Sequence, residues 1–589
     1  MSSPWHARFG AGLLAATLLV VARVAAVADD KGPGAGGSPK PAAGDAKAPE
    51  PRNLPDAEKA TRLEATIKRY EDLRKNQDLV QIRTRRNDVH FLGDMRYPAS
   101  AKFLRKVFDD DRDLTTCVAA LVAIGKSGDF ETIEYAVRRS LASVKKAPVF
   151  AASLPRMFSF VEDAKAREWI ATLVPQKDAD VTASVVEAVG EARMESALPV
   201  LGEILDKEKD VTVRFEAMRA YGRCGGKGAV SRLLPFLADQ DWRIRMGAVE
   251  GLGYAGQPEA IAEIRKLLVR TEEPVVAETA VEAIARLGTR DAIEPLIDSL
   301  RIGRLRARQK ARAALRSLAQ SLFQREKDYH VDPSAWSAWW KKVKSGADPD
   351  DPAFAAAETA SYFSFPIESD RVLFILDTSG SMEWPDPPRG SDIRASDWRE
   401  RRIDLAHAEM FKSLRALAAQ NQVRLAPKGK KNDTTDIPAI PGEDGTEPPT
   451  MFNVATFASG VTPWQKQSVL ASKDNVESAI AWIQKLLPGG GTATFDAIEY
   501  GLAQRNIDTI YFLSDGVPSL GRFEERETIL AEVRKLNRFK RVSISTIAMI
   551  VGISPIESQR KLEDPEDMAD IMGRLASENQ GRFVNASRP

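Results

Sequence analysis

The middle of the chain repeats itself with a period near 31 residues, and this repeat restricts the possible fold more than any other feature. Each unit holds two amphipathic stretches rich in Leu and Ile. A small residue recurs at one equivalent position of each unit: Ala217, Ala248, Ala280 and Ala311. We expect the turn between the two stretches to be marked by glycines: Gly190, Gly222 and Gly253. Two amphipathic helices at a fixed period predict a solenoid, because no unit buries its apolar face alone and neighbours must stack.

The period and these residues resemble HEAT-type repeats. The resemblance is clear for four units and looser for residues 88–180, so we predict a HEAT-like solenoid over residues 88–325. Residues 301–316 carry many basic side chains, which we interpret as the solvated face of the last repeat. The two cysteines, Cys117 and Cys224, are too many repeats apart for a disulfide, and we expect both to be unpaired core residues.

The N-terminal segment has the pattern of a secretory signal peptide over residues 1–28. His6 and Arg8 precede an apolar run from Phe9 to Val21, and Ala26-Val27-Ala28 offers a small-residue cleavage site. A secreted or periplasmic protein follows from this interpretation, and an uncleaved membrane anchor is the alternative. Residues 29–55 are rich in Pro, Gly and Ala and predict a disordered linker. Residues 56–87 predict one N-terminal helix.

The chain is long enough for several domains, and its charge gives no reason to expect a nucleic-acid partner. It has 589 residues, with 84 Lys and Arg against 83 Asp and Glu. Residues 326–365 predict a Trp-rich cap and linker, in which the apolar end of the solenoid is closed by three tryptophans: Trp336, Trp339 and Trp340.

From residue 366 to 589 the pattern changes to short strands alternating with helices. This alternation predicts an α/β, doubly wound, Rossmann-like domain with a mostly parallel sheet covered on both faces. The segment FNVATF is separated from the next strand by only ASGV, so we expect a hairpin and one antiparallel edge strand. The whole chain is therefore expected to be multidomain, with an all-α solenoid followed by an α/β domain.

Oxygen-bearing side chains follow the predicted strands of this domain at three places. The strand RVLFILD ends at Asp377, and Ser379 and Ser381 follow it. Thr492 follows three glycines, and Asp515 follows the strand DTIYFLS. Ligands of open α/β sheets bind at the carboxyl ends of the strands. Two carboxylates with hydroxyl oxygens are hard donors that suit Mg²⁺.

These three segments, DTSGS, GGGT and SDG, resemble the motifs of a von Willebrand factor A-type (VWA) domain with its metal-ion-dependent adhesion site. The resemblance implies that Mg²⁺ or Mn²⁺ is held by Asp377, Ser379, Ser381, Thr492 and Asp515. It also implies that a partner protein supplies an Asp or Glu carboxylate to the metal.

The sequence lacks the common catalytic patterns, so we do not expect an enzyme. It has no H-E-x-x-H, no G-x-S-x-G and no Walker loop, and no general base stands beside the candidate metal site. We therefore predict a metal-dependent protein-binding protein, with the solenoid as a second interaction surface. A structural scaffold without an exchangeable ligand is the alternative.

Overall fold

The computed structural model describes most of the chain beyond residue 49. The described ranges are 50–75, 79–144, 146–174, 176, 178–301, 305–324, 327–346, 360–363, 365–384, 401–425, 449–549 and 565–586. The predicted signal peptide, most of the predicted linker 29–55 and part of the linker before the α/β domain lie outside these ranges. None of the helices in the described ranges combines the length and hydropathy of a membrane span.

The first half of the described chain is helical. Its helices are Asp56–Leu73, Leu79–Asp94, Ala101–Asp110, Leu114–Ser127, Phe130–Ala142, Pro148–Ala152, Leu154–Phe158, Ala164–Ala171, Ala179–Glu191, Leu198–Lys207, Val211–Leu233, Trp242–Ala255, Ile261–Arg270, Pro274–Leu287, Ile293–Ser299, Leu305–Phe323 and Pro333–Lys344. A single apolar core runs through them from Tyr70 to Trp340. The stacked pairs confirm the predicted solenoid.

Aspartate side chains begin many of these helices. In each case a carboxylate oxygen accepts a hydrogen bond from an N–H group of the first turn, which would otherwise lack a partner. The capping residues are Asp113, Asp129, Asp163, Asp178, Asp210 and Asp241. The helices Trp242–Ala255 and Pro274–Leu287 end on left-handed glycines, Gly256 with φ 70° and Gly288 with φ 66°.

The glycines that we expected in turns lie inside helices, so that prediction was wrong. A Cβ atom on Gly222 would stand 2.0 Å from the carbonyl oxygen of Gly251, and one on Gly190 would stand 2.7 Å from the Cα atom of Ala220. These glycines therefore mark the close approach of one repeat to the next. The recurring alanines are fully buried, as the close stacking of repeats requires.

Residues 56–87 form parts of two helices rather than the single predicted helix. The first ends at Leu73, and the second begins at Leu79. The buried Arg85 donates from Nη1 to the carbonyl oxygens of Leu73 (3.0 Å) and Arg74 (3.1 Å), which satisfies the end of the first helix. The end of the predicted linker is also ordered, because Pro51–Asn53 is a 3₁₀ turn and Leu54 is buried.

The tryptophan segment closes the end of the solenoid core, as predicted. Trp336, Trp339 and Trp340 are all buried and pack edge to face or tilted against one another. The indole N–H of Trp336 donates to the carbonyl oxygen of His330 at 2.9 Å, and that of Trp340 donates to Glu294 at 3.1 Å. The two cysteines are buried and free, which confirms their prediction.

The second half is an α/β domain. Its strands are β1 Ser361–Tyr362, β2 Phe365–Pro366, β3 Arg371–Asp377, β4 Met451–Phe457, β5 Val461–Pro463, β6 Val469–Leu470, β7 Thr509–Ser514, β8 Ser543–Ala548 and β9 Phe583–Asn585. Its helices are Arg402–Leu425, Lys473–Ile483, Thr494–Ala503, Arg526–Asn537 and Pro565–Glu578. The main sheet has the strand order β5-β4-β3-β7-β8-β9, with β6 paired to β4. The sheet is parallel except for β5 and β6, which run antiparallel to β4.

Apolar side chains cover both faces of this sheet, which confirms the doubly wound class. Phe374 and its alternate neighbours join one apolar cluster, while Leu373 and Ile375 join the other. The domain begins earlier than the predicted boundary at 366. The hairpin of β1 and β2 belongs to it, because Tyr362 and Phe363 are buried in its core.

The α/β domain docks on the solenoid through the segment that leads into β8. Arg538 pairs with Glu216 at 2.8 Å, and the ring centroids of Phe539 and Phe215 are 5.1 Å apart. The basic run 301–316 takes part in this contact, contrary to the solvated face that we expected. Arg306 is buried, pairs with Glu278 and donates to the carbonyl oxygen of Asp508. The solenoid surface at these residues is therefore occupied by the chain's own α/β domain.

Candidate metal centre

Asp377 ends the central strand of the sheet, so its carboxylate lies at the edge where parallel strands finish. β3 runs between β4 and β7, and Asp377 has no exposed surface. The backbone N–H of Ser379 donates to Asp377 Oδ1 at 2.7 Å, which bends the chain into the 3₁₀ turn Gly380–Glu383. The first predicted segment is thus held tightly against the strand end.

Asp515 joins this cluster because it follows β7, the strand next to β3. Ser381 Oγ donates to Asp515 Oδ1 at 2.8 Å, and the hydroxyl oxygens of Ser379 and Ser381 are 3.1 Å apart. Ser514 Oγ donates to Asp377 Oδ2 at 2.5 Å. Two carboxylates and three hydroxyls therefore meet from segments more than a hundred residues apart in the sequence.

The loop that carries Thr492 is joined to the same place by its backbone. Gly380 N–H donates to the carbonyl oxygen of Gly490 (3.1 Å), and Gly489 N–H donates to that of Thr378 (2.8 Å). Thr492 itself is buried. The structure thus brings together all three predicted segments, with Thr492 in the loop beside the other four side chains.

Arg402 is a further residue of this site that the sequence analysis did not identify. Its Nη1 donates to Asp515 Oδ2 at 2.8 Å, and the side chains of both residues are buried. It stands at the start of the helix Arg402–Leu425, and its guanidinium carbon lies 5.5 Å from the ring centroid of Trp384. Nothing in the local pattern RERRIDLA distinguishes it from the neighbouring Arg401, whose partner is Asp404.

The two carboxylates of the site disfavour each other's charge. Burial, followed by the nearby charge of Asp515, raises the pKa of Asp377 above its ordinary value. Burial also raises the pKa of Asp515, and Arg402 offsets this effect only in part. Among the residues described at this edge, the two aspartates therefore carry more negative charge than Arg402 balances, and a further cation would neutralise the excess.

The donor set fits a small hard cation. In an octahedron with metal–oxygen bonds of about 2.1 Å, neighbouring oxygens lie roughly 3 Å apart. The separations of 3.1 Å between the two serine hydroxyls and 2.8 Å between Ser381 and Asp515 agree with this spacing. The described residues contain no group of three or more His, Cys, Asp or Glu placed to hold a metal, so a site here depends on its hydroxyls.

Comparison with known proteins gives separate results for the two halves. A family model described as HEAT repeats matches residues 166–250 and 230–316. Von Willebrand factor A domain-containing protein 3B from Homo sapiens is 31% identical over 97 residues, which are 16% of this chain. The match spans only 7% of that protein's length.

Solved structures with some likeness include the D319A mutant of the PilB minor pilin from Streptococcus sanguinis, with a TM-score of 0.23 and 17% identity over 40% of this chain and 59% of the other. Another is von Willebrand factor type A from Catenulispora acidiphila, with a TM-score of 0.19 and 17% identity over 35% and 42% of the two chains. These scores are too low to carry an argument. The motifs, the sheet topology and the two sequence matches together support HEAT repeats followed by a VWA domain.

Proposed function

We propose that this chain binds a partner protein through a divalent cation at the carboxyl edge of its VWA sheet. In this proposal Asp377, Ser379, Ser381, Thr492 and Asp515 hold Mg²⁺ or Mn²⁺, some of them through water. The metal then accepts a carboxylate from an Asp or Glu of the partner. VWA domains commonly bind divalent metal ions, and both VWA domains and HEAT repeats are generally protein-interaction modules.

The observation that carries this proposal is the spacing of oxygens around Ser381. Its hydroxyl lies within 3.1 Å of Ser379 Oγ and 2.8 Å of Asp515 Oδ1, at a sheet edge where two carboxylates are buried side by side. The described groups offer oxygen ligands and one neighbouring arginine, without a histidine or other general base in contact with them. We therefore propose binding rather than catalysis. The signal-like segment supports a secreted or periplasmic location.

Equilibrium dialysis with Mg²⁺ tests the metal site directly. We expect the wild-type chain to retain one equivalent of Mg²⁺, and the isosteric variant Asp377→Asn to lose at least about 10-fold in affinity, since a ligand charge is removed. Asp474→Asn is the matched control, because Asp474 is an exposed carboxylate of the same domain. Equal Mg²⁺ retention by all three proteins would show that Asp377 is not a metal ligand.

A scaffold without an exchangeable ligand is the competing function. The buried contact between the solenoid and the VWA domain favours it, because this contact already uses part of the solenoid surface for assembly. The two functions differ in one measurement. A metal-dependent binder loses its partner when EDTA is added and regains it with Mg²⁺, whereas a scaffold keeps the same partners in both conditions.

A further inference from the structure

Two exposed leucines lie in the loops that carry Thr492 and Asp515. Leu487 is 84% exposed and Leu520 is 41% exposed. Other large apolar side chains that are exposed in the described ranges lie on helices: Val269, Leu322 and Leu536. A single exposed leucine is ordinary on a protein surface. The position of this pair beside one candidate site is what needs an explanation.

Leu520 lies directly against the Thr492 loop. The neighbouring Ser519 exchanges two hydrogen bonds with the backbone of Thr492, at 3.0 and 3.1 Å. A Cβ atom on Gly491 would stand 2.5 Å from Leu520 Cδ1, so the leucine side chain covers the backbone of this glycine. The residue that follows Gly491 is the proposed metal ligand.

Leu487 belongs to the same group of loops. It stands two residues before Gly489, whose N–H donates to the carbonyl oxygen of Thr378 at 2.8 Å. Thr378 lies between Asp377 and Ser379 in the sequence. The exposed side chain of Leu487 is therefore held near the strand end that carries the first metal-ligand motif.

No charged side chain lies between Lys485 and Asp496 or between Asp515 and Arg522, the two segments that hold the leucines. Residues 486–495 read LLPGGGTATF and residues 516–521 read GVPSLG. The charges that follow these segments satisfy one another, because Asp496 accepts from the N–H of Arg522 (3.1 Å) and Arg522 pairs with Glu499. In these two loops the surface next to the site is apolar and neutral, while charge is concentrated at the site itself.

We propose that Leu487 and Leu520 form the apolar half of the partner-binding surface. The partner segment then presents an Asp or Glu with an aliphatic or aromatic side chain directly beside it. This inference rests on the proposed function, in which the metal takes the carboxylate. A metal–carboxylate bond is alike for every acidic partner, so neighbouring contacts have to provide the selectivity. Burial of one large apolar side chain changes affinity by about 10-fold or more, enough for that purpose.

A random peptide library, panned on the full chain in Mg²⁺ and eluted with EDTA, tests this surface. We expect the eluted peptides to be enriched in Asp or Glu next to Leu, Ile, Met or Phe. Acidic peptides without apolar neighbours would leave the metal-dependent function intact and overturn the leucine surface. A library that yields no acidic peptide on EDTA elution would overturn both proposals.

A synthetic peptide of the enriched sequence then tests the two leucines. We expect the double variant Leu487→Ser, Leu520→Ser to bind it about 10-fold more weakly or worse, with Mg²⁺ retention unchanged. Leu322→Ser is the matched control, because Leu322 has the same exposure, 41%, on a helix of the solenoid. Equal peptide binding by the double variant and the control would overturn the proposal.

Discussion

The docking contact around Arg541, which precedes β8, lies at the opposite end of the sheet from the candidate metal edge, and both places bury carboxylates. At the docking surface, burial alone would raise the pKa of Glu282, but Arg541 and Lys310 outweigh it and lower the pKa to about 2. At the metal edge, burial and the charge of Asp515 raise the pKa of Asp377. The same chemical group therefore has opposite pKa shifts at the two ends.

This difference shows at which of the two places the chain's own residues balance the buried charges. Arg541 reaches both Glu250 (3.1 Å) and Glu282 (2.6 Å), so these two solenoid acids share a cation from the opposite domain. At the metal edge Arg402 pairs with Asp515, yet within the described part of the chain the pKa values of Asp377 and Asp515 both stay raised. Matched charges produce a closed contact, whereas an excess of one sign favours a bound ion.

The largest effect is expected from breaking the docking contact. Arg541→Met leaves the buried Glu250 and the partly buried Glu282 with fewer partners and should lower the free energy of unfolding by about 4 kcal/mol. Urea denaturation measures the change. Arg415→Met is the control, because the pair of Arg415 with Glu477 is exposed and should leave the midpoint unchanged. Equal midpoints for both variants would mean that the interface contributes nothing to stability.

A somewhat smaller loss of stability is expected from a substitution at the candidate metal edge. Arg402→Met removes a charged partner of Asp515 and should lower the free energy of unfolding by about 3 kcal/mol in EDTA, since the carboxylate stays buried next to Asp377. Addition of Mg²⁺ should restore more stability to this variant than it gives the wild type. Arg401→Met is the control, because Arg401 directly precedes this helix and its pair with Asp404 is exposed to solvent. A variant as stable as the wild type in EDTA would contradict the role of this pair.

A still smaller change in the free energy of unfolding is expected when acid protonates Glu282 in the docking contact. Because the folded pKa of Glu282 is about 2 against an ordinary 4.5, its contribution is present above pH 4.5 and is lost as the pH falls towards 2. The stability difference between wild type and Glu282→Gln should therefore shrink by roughly 2 kcal/mol between pH 4.5 and pH 3. A constant difference over this range would show that Glu282 keeps an ordinary pKa.

Much of the fold could be predicted because it follows from local patterns. The recurring alanines reveal the stacked helix pairs, and the apolar runs ending in Asp377 and Ser514 are both strands of the observed sheet. The misread features were those whose meaning depends on a neighbour in space. Gly222 looked like a turn residue, yet its role is to admit the backbone of Gly251 from the next repeat.

The candidate site shows the same division. Parallel strands β3 and β7 had to finish at one edge, so the meeting of the aspartate segments could be foreseen from their positions after those strands. The contact of Arg402 with Asp515 could not, because 113 residues separate the two in the sequence and no periodic pattern links them. The same holds for Arg306 in the basic run at 301–316, because it is buried against a domain that follows it in the chain.

The amino-acid sequence by itself determined the elements of this protein: the repeat period, the order of strands and helices, and the oxygen ligands at the strand ends. These follow from hydrophobic periodicity and from residues whose chemistry is local. The tertiary structure alone decided which charges meet, namely that Arg541 closes the solenoid contact and that Arg402 reaches Asp515. Pairing of distant charges depends on the packing of whole elements, and electrostatic attraction between side chains leaves no periodic trace in the sequence.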